Sequence, residues 1–501
     1  MNGKSLDKLP TGIEGFDQLS RGGLPRNRTT LISGTAGCGK TIFATQFLAE
    51  GIRRAGENGV FVTFEEAPDD IRRNVGGFGW DLAGWEAADR FRFVDGSPDL
   101  TDETVFSGGY DLGALLARIT YAVESIGARR VTMDSLGALF SRYENPALVR
   151  NELFRISATL KEMGVTSVVT AERTEDYGEI SRYGVEEFVA DNVVVMRNLL
   201  ESERRLRTLE ILKFRGADHQ RGEAPYTIAG GEGIVVVPLC EAALDHDSPS
   251  RRVTSGNAAL DQMCGGGFYS DAAVLVSGAT GTGKTLMVTE FMAGAAEKAE
   301  RALLVAFEEG PEQIIRNAAG WGYDFTALRD AGHLRVISAY PESASMEEHF
   351  LWIQKAIADF QPHRIAVDSL SALERVANVK RFREFMIGLT GFLKQQGISA
   401  MFTATTPALL GGVSITEAHI STITDAIILL RYVELFGEMH RGLTVLKMRG
   451  SLHDKEIRSF SINGTGMHIG RAFRSVGGII EGRPIHVGND EIERIQDLFQ
   501  T

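Results

Sequence analysis

Two eight-residue stretches of this chain have the spacing of a phosphate-binding loop: Gly34-Thr35-Ala36-Gly37-Cys38-Gly39-Lys40-Thr41 and Gly278-Ala279-Thr280-Gly281-Thr282-Gly283-Lys284-Thr285. In such a loop the glycines let successive backbone N–H groups turn toward phosphate oxygens. The lysine reaches the outer phosphates and the threonine hydroxyl binds Mg²⁺. Each stretch follows an apolar run, Thr30-Leu31-Ile32-Ser33 or Leu275-Val276-Ser277, and the first opens a helical run from Ile42 to Leu48. Two copies, each after an apolar strand, predict two sites for a nucleoside triphosphate such as ATP, each with its metal.

Acidic residues complete the chemistry. Asp134 and Asp368 each end an apolar strand, the arrangement that holds a metal-bound water beside the loop threonine. The pairs Glu65-Glu66 and Glu308-Glu309 follow the second predicted strand of each half, where a carboxylate takes a proton from an attacking water or hydroxyl. Near the end of each half, Lys213 with Arg215, and Lys447 with Arg449, alternate along a predicted strand, which puts both cations on one face. With no evident duty inside their own subunit, they read as fingers inserted by a neighbour into a ring that holds nucleotide between subunits.

The elements that must position these residues are laid out twice. Asp17-Gln18 with Gly22-Gly23 returns as Asp261-Gln262 with Gly266-Gly267, and Leu212-Lys213-Phe214-Arg215-Gly216 returns as Leu446-Lys447-Met448-Arg449-Gly450, all in one order. Units this long are whole duplicated domains and not solenoid repeats. The seam falls where apolar periodicity fades, about residue 247, giving domains 1–247 and 248–485 and a tail 486–501. Short β-branched runs at 60–64, 130–133, 165–169 and 192–196 alternate with helical stretches. Each half is therefore expected to be an α/β domain, a mainly parallel sheet flanked by helices, with ligands at the carboxyl ends of the strands.

Composition narrows the class. Of the 501 residues, 43% are hydrophobic and 24% charged, as in soluble globular proteins, and neither a long apolar run nor an apolar signal core is present. A cytoplasmic protein without a membrane segment is expected. Cys38, Cys240 and Cys264 are too dispersed for a disulfide framework or a zinc site. A formal charge of −13 argues against nucleic acid as a partner, and so against a RecA-type DNA-dependent ATPase. A non-clock ATP-dependent signalling scaffold is the other alternative.

With these motifs in hand, the whole chain resembles the KaiC family, hexameric RecA-like ATPases and autokinases of the bacterial circadian clock. The segment Ser414-Ile415-Thr416-Glu417-Ala418-His419-Ile420-Ser421-Thr422-Ile423-Thr424-Asp425 is similar to the family's phosphorylation segment. The resemblance implies Ser421 and Thr422 as phosphoacceptors with Thr416 auxiliary, and a serine/threonine autokinase and autophosphatase in the second half. It implies slow ATP hydrolysis in the first half with Glu65 and Glu66. It adds Glu308 to the second metal site, His219 to the first nucleotide site, and Leu286, Trp321, Arg375, Met448, Arg441 and His453 to the second site or its interface. A KaiB-like partner is implied as well. The tail is short beside those of members that bind the activator KaiA, which counts against a KaiA-like partner. Ala217, Ala229 and Gly230 depart from the family's pattern around the first site. Aligning Asp425 with Asp191 places Glu187 and Phe188 where Ser421 and Thr422 stand, so only the second half offers hydroxyls there.

Overall fold

The computed structural model describes residues 6–97, 112–137, 146–181, 186–201, 204–237, 249–406, 420–435, 437–473, 476–477 and 485–486. The expected seam at residue 247, Thr416 and nearly all of the tail lie outside them. Backbone contacts divide the chain into two units, Met1–Pro238 and Leu239–Thr501.

The first unit is built on a nine-stranded sheet. Its order is Gly233–Val236, Glu223–Ala229, Arg204–Phe214, Asn192–Glu201, Thr29–Gly34, Thr166–Glu172, Arg130–Asp134, Gly59–Thr63, Phe91–Asp95. The last six strands in that order run parallel and the first three are added antiparallel. The second unit repeats the plan in the order Leu334–Ala339, Ala302–Phe307, Arg364–Asp368, Ser399–Thr405, Ala273–Gly278, Ala426–Leu435, Glu438–Met448, Arg458–Asn463, Gly466–Ala472. Every residue of Thr29–Gly34, Gly59–Thr63, Ala273–Gly278 and Ala302–Phe307 is buried. That is what helices on both faces of a parallel sheet require, and it explains continuous apolar runs in place of alternation.

Both phosphate-loop strands are central. The loop reverses into a helix, Lys40–Glu50 or Lys284–Ala293, through Gly39 at φ 94° and Gly283 at φ 112°. A side chain at either would be forced into the left-handed region, so glycine is required there for the turn and not only for room beside a phosphate. Both helices are buried nearly all round.

A bulge sits at the same place in both antiparallel hairpins, between Val193 and Val194 and between Ile427 and Ile428. It leaves Leu212 and Leu446 unpaired and exposed, and it re-aims the lysine that follows each.

The aspartate-bearing strand of each sheet begins with a buried arginine. Arg364 is 0% exposed; it donates to the carbonyls of Phe291 at 3.0 Å and Thr254 at 3.1 Å and pairs with Glu300 at 2.5 Å. Arg130 does the same for Phe47 at 2.9 Å, Pro10 at 2.9 Å and Glu57 at 2.8 Å. Removing the buried partner strands Glu300, so Arg364→Leu is expected to cost about 3–5 kcal/mol in chemical denaturation of the full chain. Arg251→Leu, which removes the exposed partner of the same carboxylate, should cost under about 1 kcal/mol. Equal losses would refute this assignment.

Candidate active site

The loop threonine and the strand-end aspartate meet in both halves. Thr41 Oγ1 donates to Asp134 Oδ2 at 2.6 Å, and Thr285 Oγ1 to Asp368 Oδ2 at 2.8 Å. The other carboxylate oxygen of each aspartate accepts from a threonine on the adjacent strand, Thr170 or Thr403. Sequence reasoning missed these two threonines; their recurrence one strand away in both halves was the available signal. A hydroxyl and a carboxylate at the foot of a phosphate loop are the hard oxygen donors a divalent cation takes, so the donor set fits Mg²⁺.

Each lysine lies over its own loop. Lys40 Nζ donates to the Gly34 and Thr35 carbonyls at 3.0 and 3.1 Å, and Lys284 Nζ to those of Gly278 and Ala279 at 2.8 and 2.9 Å. Burial pulls the Lys284 pKa below that of an ordinary lysine.

The glutamate pairs are arranged differently in the two halves. Glu65 accepts from Ser135 Oγ at 3.2 Å, beside Asp134. Its carboxyl pKa is pushed up chiefly by burial and next by the charge of Glu172. Glu66 is turned aside, accepting from Asn74 Nδ2 at 3.1 Å. In the second half, burial and then the charges of Asp368 and Glu308 raise the Glu309 pKa. Glu308 sits at φ 84° and pairs with Arg375. A left-handed φ on a residue with a side chain costs about 1–3 kcal/mol and is concentrated at functional positions.

A cavity of about 460 Å³ opens on the second loop. Its lining includes Thr280, Gly281, Gly283, Lys284, Thr285 and Leu286 of the loop and helix, Glu308, Glu309, Asp368 and Trp321. Arg441, Lys447, Met448, Arg449 and His453 stand outside that lining. Arg441 instead lies over the Tyr432 ring at 5.7 Å. In the first half His219 packs edge-on against Phe214 at 5.6 Å.

The four cations expected to have no duty at home do have one. Lys447 Nζ donates to the carbonyls of Ser421 at 2.6 Å and Thr424 at 2.7 Å, and Arg449 donates to that of Thr422 at 2.6 Å. Arg449 also lies 3.7 Å from Asp425. Lys213 likewise holds the carbonyls of Glu187 and Ala190 at 2.8 Å each, and Arg215 lies 3.6 Å from Asp191. The bulge aims each lysine at carbonyls that end a helical turn, where a cation is favourable. Their lack of a local role is therefore no argument for a ring.

Comparison with known proteins follows this geometry. The KaiC ATPase family matches residues 9–241 and again 253–472. The chain is 60% identical to the circadian clock protein KaiC3 of Synechocystis sp., over 99% of this chain and 98% of that protein. It is 52% identical to the circadian clock oscillator protein KaiC of Thermostichus vulcanus, over 97% and 93% of the two chains, and 52% identical to that of Synechococcus elongatus, over 99% and 95%. With two matched domains, two repeated phosphate-loop sites and identity along nearly its whole length, the chain belongs to the KaiC family of ATPases.

Proposed function

We propose that the chain is an ATP-hydrolysing serine/threonine autokinase and autophosphatase that works as a hexameric ring in a circadian clock or timing device. The observation that carries this reading is a difference between halves: the same lysine–arginine clamp holds Glu187 and its neighbours in the first half and the hydroxyl-bearing Ser421–Thr422 turn in the second. The fold thus offers a fixed backbone for a phosphoacceptor on the half whose site carries the Glu308–Arg375 pair.

In this reading ATP is held by Gly34, Thr35, Gly37, Gly39, Lys40 and Thr41 in one half and by the second loop in the other. Thr41 with Asp134, and Thr285 with Asp368 and Glu308, would hold Mg²⁺, which supplies charge neutralisation at the phosphates when bound. Glu65 takes a proton from water in the first half. Glu308 takes one from a Ser421 or Thr422 hydroxyl of an adjacent subunit, Glu309 sits beside it, and Lys284 steadies the transferred group. The fingers Lys213, Arg215, Lys447 and Arg449 would then serve twice, clamping at home and reaching the neighbour's phosphates. A KaiB-like partner is proposed from the family resemblance; the cytoplasm is the proposed location. Among the described residues, no helix is long and apolar enough to cross a membrane.

Two outcomes test this. Because burial and Glu172 raise the Glu65 pKa, first-site turnover measured with Lys284→Ala should fall as pH drops through a value above the usual carboxylate range. Glu172→Gln should shift that acid limb to lower pH, and an unmoved limb would contradict the assignment of Glu65 as base. Mass spectrometry after incubation with MgATP should find phosphate on Ser421 and Thr422, slowed about 10²–10⁴-fold in Glu308→Gln. Phosphate elsewhere, or an undiminished rate, would remove the autokinase mechanism.

A further inference from the structure

The two halves differ at a buried position on the helix that follows each phosphate loop. Six residues after the lysine the first half has Gln46 and the second Glu290, 1% exposed. Gln46 is satisfied as a neutral amide. Its Oε1 accepts from Ile234 N at 2.7 Å, and its Nε2 donates to the Ile234 and Glu232 carbonyls at 3.1 and 3.2 Å. Glu290 only accepts when ionised. Oε1 takes bonds from Met467 N at 2.7 Å and the Tyr323 hydroxyl at 3.3 Å, and Oε2 from Asn257 Nδ2 at 3.1 Å. Asn257 stands where the first half has Ile13, so the replacement is paired: glutamine with isoleucine, glutamate with asparagine.

Two of those donors belong to segments that wall the 460 Å³ cavity. Met467 is the cross-strand partner of Ile462, and Tyr323 follows Trp321 by two residues; Ile462 and Trp321 both line the cavity. We propose that Glu290 is a positioning residue through which the nucleotide affinity of the second site, and not that of the first, responds to pH. This rests on reading that cavity as a nucleotide site.

A proton on Glu290 removes the charge that strengthens the bonds from Met467 N–H and Asn257 Nδ2, both of which only donate, so the Met467 wall segment is held less tightly, while the Tyr323 hydroxyl can turn to accept. Burial favours the protonated form, opposed by the three donors and by His468, and the net effect raises the pKa. Among the described residues the titratable groups facing it are Tyr323, whose pKa is pushed up to about 12 by burial and by Glu290, and His468 on the hairpin. A raised folded-state pKa means that the stability Glu290 contributes is present at low pH and lost as pH rises through that pKa. Acidification therefore weakens the site without this residue unfolding the domain.

The test is MgADP affinity in the full chain carrying Lys40→Ala, so that only the second site reads. As pH falls from about 8 through the range above the usual carboxylate pKa, affinity is expected to weaken about three- to tenfold, with a flat profile in the Glu290→Gln, Asn257→Ile double variant that copies the first half. Thermal unfolding at each pH confirms a folded domain. A variant that keeps the full pH dependence would assign it to His468 or the nucleotide and overturn the inference, as would a flat profile without the double change. Loss of all binding in the Lys40→Ala chain, with binding kept by a Lys284→Ala chain, would overturn the nucleotide-site reading and this inference with it.

Discussion

Everything at either site depends on one short contact: a threonine hydroxyl at the start of a helix against an aspartate at the end of a strand of the same sheet. For the two to meet, the loop strand and the aspartate strand must lie in one parallel sheet with a single strand between them, and both must end at the same level. The glycine turn must then bring the helix start back over the sheet edge. Fully buried strands supply the first condition and the positive-φ glycines Gly39 and Gly283 the second. The glutamate pairs, the lysines and the cavity are all placed relative to that contact.

Duplication kept this frame and let its surroundings diverge. Glu65 leans on Ser135, whereas Glu308 leans on Arg375. Behind the helix a neutral amide in one half is a carboxylate in the other. The clamped turn carries Glu187 in one half and Ser421 with Thr422 in the other. Scaffold positions and the glutamate pairs are shared while the groups around them are not, which is what two sites doing different chemistry on one nucleotide would need.

Much of this was legible in the sequence because it is local. A phosphate loop and an apolar strand that ends in aspartate are contiguous signals, and the repeat confirmed each against its copy. The parallel strands expected at 60–64, 130–133, 165–169 and 192–196 are found at Gly59–Thr63, Arg130–Asp134, Thr166–Glu172 and Asn192–Glu201. What was illegible depends on distance. The duty of Lys447 is set by a bulge in a hairpin and by carbonyls more than twenty residues away, and a charge count gives no hint of either. Glu290 looks like any polar residue in a helix until the hairpin strand and Tyr323 close over it. Arg441 and His453, carried over by resemblance, stand outside the lining of the cavity.

The central claim is that both halves use the same threonine–aspartate contact to hold a metal-bound nucleotide. The most direct measurement is a titration of the chain with Mn²⁺ and a slowly hydrolysed ATP analogue, read by electron paramagnetic resonance. Two nucleotide-dependent equivalents of metal per chain are expected, one lost in Thr41→Ala and the other in Thr285→Ala. A single equivalent in the unaltered chain, or two that survive both substitutions, would contradict the claim.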